Sequence, residues 1–184
     1  PVVNHRLAIA HLWANNDDEA LRYFERAREL GMPFASIPGA YIILMLRIGE
    51  HEKAKQVLAG VSQMLELGSY WLDPLFMALE NQKLVPSAIA AVEKAVENGD
   101  VPRLLLIGVW TYLQQDDRAL DAAFNLVQDR PNFNTEFLFS RESAVLRANP
   151  RFDQLVKTIG LRRYWEEFEW PDVCQPQGES IVCH

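Results

Sequence analysis

Four histidines, two cysteines and several paired carboxylates are the residues of this 184-residue chain whose types suit catalysis or metal binding. His5 and His11 stand six apart, so they miss the i, i+4 spacing that puts two zinc ligands on one helix face. Structural or solvent-exposed roles account for the histidines. Glu166, Glu167 and Glu169 flank Trp165, Phe168 and Trp170. Two neighbouring carboxyls can divide general acid and base roles, but spaced in this way they read as solvated helix charges. Asp17/Asp18 and Asp116/Asp117 lack the spaced oxygens and closing Glu of a calcium loop, and helix capping is the simpler account. Glycines occur singly, with no phosphate-cradling loop and no Gly-x-Ser-x-Gly elbow. The expectation is a chain with no catalytic residues, no metal site and no cofactor.

Cys174 and Cys183 both fall in the last eleven residues. Pro176 and Gly178 between them let the chain fold back. One reading is a bridge, stabilising by about 2–3 kcal/mol on the loop-entropy model and pointing to an oxidising compartment. The other is two free thiols in a frayed cytoplasmic tail. Two Cys and a terminal His are too few ligands for a metal.

A formal net charge of −7 repels phosphate backbones and argues against nucleic-acid binding by this segment. No run reaches the roughly 18 apolar residues of a membrane helix. The longest candidate, Leu104 to Leu113, reads as a buried helix. No signal peptide is evident. A start at Pro1, directly in helical pattern, reads as a piece of a longer or processed protein.

The elements that must position any site follow from spacing. Ala20/Phe24/Ala27, Ala54/Leu58/Val61 and Ala88/Val92/Ala95 repeat at a step of 34 residues, and Ala119/Ala123/Leu126 follows after 31. Positions i, i+4 and i+7 share one helix face. The small residue permits close approach of two helices, and the large one fills the adjacent groove. A period of 34 is that of a helical-hairpin array. The pattern predicts helix pairs over 3–14 and 18–30, 38–48 and 51–66, 74–82 and 87–98, and 102–114 and 117–129. The nine internal prolines fall between or at the starts of these segments. Asp116-Asp117-Arg118-Ala119-Leu120 echoes Asp17-Asp18-Glu19-Ala20-Leu21, which aligns the fourth copy independently.

Residues 1–131 thus read as four hairpins. Array ends need an atypical element over the last apolar face, and 132–170 is that helical cap, with Phe137, Phe152, Leu155, Ile159, Tyr164 and Trp165 buried. Residues 171–184 read as a loop or tail, with one short strand at Ser180-Ile181-Val182. In stacked hairpins the first helices line the concave side. The stripe there runs through His5, Ile9, Leu12 and Trp13, and its equivalents include Ile43, Leu46, Arg47, Glu80, Asn81, Thr111 and Tyr112. The aliphatics read as interhelix packing. His5, Trp13, Arg47, Glu80, Asn81 and Tyr112 are the candidate contacts for a protein or peptide partner.

The small–aromatic–small spacing of Ala20, Phe24 and Ala27 resembles that of the tetratricopeptide repeat family over roughly residues 3–130. The resemblance implies an all-α, right-handed α-solenoid of about four hairpins with a C-terminal cap. The ending Asn149-Pro150-Arg151-Phe152-Asp153-Gln154-Leu155, Ile159-Gly160-Leu161, Tyr164-Trp165 and Pro171-Asp172-Val173-Cys174 is similar to the C-termini of bacterial multidomain proteins. Those join a CadC-like winged-helix domain, or a class III nucleotide cyclase, to a membrane helix and a periplasmic repeat array. The implied role is a non-catalytic sensory or scaffolding domain on the periplasmic face of the inner membrane, reached through an upstream helix, which suits a Cys174–Cys183 bridge. The alternatives are a regulatory or dimerisation tail of a cyclase and a cytoplasmic scaffold. A homodimer stays open.

Overall fold

The computed structural model describes residues 1–32, 38–129 and 135–183. Among them are eleven α-helices and one two-stranded sheet, and the chain divides into two compact units, Pro1–Val101 and Pro102–His184.

The first unit is built from α1 (Val2–Trp13), α2 (Asp17–Glu29), α3 (Pro38–Arg47), α4 (His51–Met64), α5 (Leu72–Glu80) and α6 (Val85–Glu97). α1 packs on α2, α3 on α4 and α5 on α6, and successive pairs meet through α2–α3 and α4–α5. The alanines of the three triplets are wholly buried, as are Phe24 and Val92, with Leu58 nearly so. Val61 is half-buried. These methyl groups therefore occupy helix contacts, as the spacing demanded, and no strand occurs among the described residues before Pro131.

The first two helices end alike. After α1, Asn15 adopts φ 59° and the Asn16 N–H donates to the His11 carbonyl at 2.9 Å. After α2, Gly31 adopts φ 83° and Met32 N–H reaches the Ala27 carbonyl at 3.0 Å. This left-handed ending satisfies otherwise orphaned carbonyls. At α2 neither aspartate occupies the cap position. Asn16 precedes α2 with no side-chain cap, and Asp17, inside the first turn, instead accepts from Arg47 at 3.1 Å. Helix α5 starts at Leu72, ahead of the Asp73-Pro74 pair that the sequence suggested as its cap.

Specific contacts tie the pairs together. The Phe24 and Tyr41 rings meet edge to face at 5.5 Å between centroids. Gly68 N–H donates to the Asp100 carboxylate at 2.7 Å. A Cβ on Gly68 would sit 2.8 Å from that carboxyl carbon, so any side chain here displaces Asp100. One face differs between copies. Leu7 and Ala10 are exposed on α1, whereas their counterparts 34 and 68 residues on, Tyr41 and Leu44, then Leu75 and Ala78, are buried.

The second unit opens with α7 (Arg103–Tyr112) packed on α8 (Asp116–Asp129). 3₁₀ turns at Glu136–Phe139 and Arg141–Ser143 lead to α9 (Ala144–Ala148), α10 (Arg151–Thr158) and α11 (Leu161–Glu167). α9 and α10 lie on α8, where Arg151 reaches Asp117 at 3.4 Å and also pairs with Asp121. Arg147 is buried and donates to the carbonyls of Leu138 at 3.2 Å and Ser140 at 2.6 Å. Burial lowers its pKa from the ordinary guanidinium range.

The tail is a β-hairpin rather than a loop with one strand. β1 (Cys174–Gln177) pairs antiparallel with β2 (Ser180–Cys183), in the register Cys174↔Cys183 through Gln177↔Ser180. Gly178 at φ 61° opens its two-residue turn. A four-residue pair of strands is marginal alone, and three anchors compensate. Ile181 N–H donates to Asp153 at 3.0 Å, Arg162 donates to the Gly178 carbonyl at 3.2 Å and to that of Glu179, and Cys174 and Cys183 stand at disulfide distance with Cα atoms 4.0 Å apart. Phe152, Leu155 and Trp165 are buried as expected, but Tyr164 is 55% exposed. The physical reason is helical: Trp165, one residue on, takes the inward direction, and Tyr164 is turned to solvent.

Candidate functional site

A groove of about 600 Å³ opens between α2 and α4. Lys53, Gln56/Val57, Gly60/Val61 and Met64 recur at i, i+3/4, i+7/8 and i+11, so they share one face of α4. Glu25 and Arg28, one turn apart on α2, form the facing wall, and Tyr41 of α3 contributes the floor. Tyr41 is buried and braced by Phe24, so the floor is rigid. Met64 is 55% exposed and supplies an adaptable apolar edge. The rim carries both signs of charge: Arg28 and Lys53 against Glu25, with Lys53 also 3.2 Å from Glu50.

Gly60 lines the groove. It lies inside α4, where glycine costs about 0.5–1 kcal/mol relative to alanine, and nothing stands within 4 Å of a Cβ built there. No packing constraint demands glycine at this position. The arrangement, apolar below and polar at the rim, suits an amphipathic peptide segment.

The residues singled out from sequence lie elsewhere, and none lines this groove. His5 is half-buried on α1, with its ring centroid 5.9 Å from that of Phe24. Burial, and then the charge of Arg6, lowers its pKa below the usual 6.5. Trp13 is half-buried at the end of α1. The Arg47 side chain is only 2% exposed and donates to the Leu12 carbonyl at 2.7 Å and to Asp17, so it joins the second helix pair to the first α-turn. Glu80 and Asn81 are exposed at the end of α5. Glu80 lies 3.6 Å from His51, and the Asn81 side chain accepts from Lys83 N–H at 3.1 Å, capping the 3₁₀ turn Gln82–Leu84. Tyr112 is half-buried in the second unit. His5, Trp13 and Arg47 thus belong to the first two helix pairs, Glu80 and Asn81 to the third, and Tyr112 to the second unit.

Sequence reasoning missed the groove because most of its lining belongs to second helices, whereas the stripe argument considered first helices only. A glycine in the middle of an otherwise strong helical pattern was the available signal. Of the carboxylates weighed for chemistry, Glu166 pairs with Arg162 at 2.8 Å, Asp117 with Arg151, and Asp17 with Arg47. Among the described residues, no group of three or more His, Cys, Asp or Glu is placed to hold a metal ion, and no helix is long and apolar enough to cross a membrane. No family model, curated protein or solved structure matches the chain.

Proposed function

We propose that this chain is a non-catalytic protein- or peptide-interaction domain, a tetratricopeptide-like array whose docking site includes the α2–α4 groove. The observation that carries the reading is the groove itself: a braced aromatic floor, an exposed methionine edge and a charged rim, with Gly60 among its lining. The 34-residue register and the buried alanines support the array. The cysteine pair at disulfide distance is compatible with an oxidising compartment, and with it a place on the periplasmic side as the sensory or scaffolding part of a bacterial signalling or transcriptional regulator.

The test is selection of peptides from a random display library, with Gly60→Trp and Gly60→Ala as comparison proteins. Trp at this position fills the groove from an open site and leaves the core untouched. The expected result is an amphipathic consensus whose affinity falls at least about tenfold, or 1.4 kcal/mol, for Gly60→Trp and is kept by Gly60→Ala. A consensus bound equally by Gly60→Trp, or no consensus at all, contradicts the proposal.

A further inference from the structure

A second surface, distinct from the groove, is the outer face of α11. Tyr164 and Phe168 are 55% and 67% exposed, and their ring centroids lie 4.7 Å apart. Large exposed aromatics in contact with each other carry a hydration cost that a solvated surface does not otherwise recover. The opposite face of the same segment is fixed. Trp165 is buried and packs against Phe139 at 5.7 Å and Trp170 at 5.4 Å, and Phe139 in turn meets the buried Phe152 at 6.0 Å. The exposed pair is therefore presented on a rigid aromatic base, which lowers the entropy cost of docking.

The charges around the pair select its partner. Glu167 lies one turn after Tyr164 and next to Phe168, and Glu169 and Asp172 follow at once; all three are exposed. Among the described residues none of them makes an ion pair. Arg163 is the single exposed cation on this stretch, since Arg162 is engaged with Glu166 and the hairpin turn. Aromatic faces attract cations, and three carboxylates outside any ion pair, against one exposed arginine, attract them further while repelling anionic lipids and acidic segments. We infer that Tyr164 and Phe168, with Glu167 and Glu169 flanking Phe168 in the chain and Asp172 four residues on, form a docking patch for a protein segment carrying arginine or lysine next to an apolar side chain.

The probe is a short synthetic peptide alternating arginine and leucine, with its glutamate-for-arginine counterpart, titrated into the full chain and followed by backbone amide shifts. The expected result is saturable binding of the arginine peptide with shifts concentrated in 163–172, and no binding of the glutamate peptide. Phe168→Ser and Glu167→Lys each weaken binding by about fivefold or more, whereas Glu52→Lys, on the 78%-exposed Glu52 side chain of α4, leaves it unchanged. Gly60→Trp also leaves it unchanged, which separates this patch from the groove. Equal weakening by Glu52→Lys would reduce the interaction to the net charge of the chain. Shifts that vanish in Gly60→Trp, persistence in Phe168→Ser, or Phe168-dependent capture of phosphatidylglycerol vesicles each overturn the inference. Thermal melts of the variants confirm that these surface changes leave the fold intact.

Discussion

The helix pairs of Pro1–Val101 and the segment 135–183 are held by different forces. In the former, Ala20, Ala27, Ala54, Ala88 and Ala95 are wholly buried and let helices approach, while one large residue per copy fills the space between them. The stabilisation is apolar, distributed and repeated. In the latter, helices of five to eight residues and a four-residue hairpin share a non-repeating core around Leu146, Phe152, Leu155 and Trp165, and individual clamps are added to it: Arg147 on two carbonyls, Asp153 on Ile181, Arg162 on the turn, and the cysteine pair. Short elements bury too little surface to stand alone, so polar and covalent clamps supplement the apolar contacts. A distributed interface weakens in proportion to the atoms removed. A clamped segment loses structure locally when one clamp opens.

The largest effect should come from deleting the filler of a periodic contact. Phe24→Ala removes a 1%-exposed ring that also braces Tyr41, and urea unfolding should show a loss of about 3–5 kcal/mol. Next, Cys174→Ser with Cys183→Ser should cost about 2–3 kcal/mol on the loop-entropy model, read as early unfolding of the hairpin rather than of α1–α6. Ala88→Trp overpacks a contact with no free surface and should cost about 1–3 kcal/mol in the same assay; a fully tolerated Trp would contradict close approach.

Two glycines sharpen the contrast at smaller scale. Gly60→Ala should raise stability by about 0.5–1 kcal/mol, because its site is open. Gly68→Ala should lower it, because the new methyl displaces Asp100 and its hydrogen bond; calorimetric melting of both variants checks the opposite signs. The smallest effect is titration of His5. Its folded-state pKa is held below 6.5 by burial and by Arg6, so the native state takes up this proton less readily than the unfolded chain. The stability it contributes is present above about pH 6.5 and is lost as pH falls through the depressed value. His5→Gln should flatten that part of the stability–pH curve.

Most of the helical organisation was legible in the sequence, because small residues at a fixed step report backbone proximity directly. The eight hairpin helices start and end within a few residues of the expected positions, and the Asp116–Leu120 echo located the fourth pair. What was not legible depends on reach and direction. Arg47 sits in a register that suggests surface contact, yet its long side chain turns back to the Leu12 carbonyl. Asp17 looks like a cap, but Arg47 claims it. Tyr164 and Trp165 are adjacent aromatics, and only the packed helix decides which faces inward. The groove arises from the distance between α2 and α4, which no single helix encodes; Gly60 was its one mark in the sequence.

Amide hydrogen exchange of the native chain, before and after reduction of the cysteine pair, tests the division between distributed and clamped regions most directly. The account predicts faster exchange at Ile181 and Cys174 and through Arg151–Glu167 on reduction, with the slow amides of α1–α6 unaltered. Exchange that quickens equally in α1–α6, or that stays unchanged in the hairpin, would contradict it.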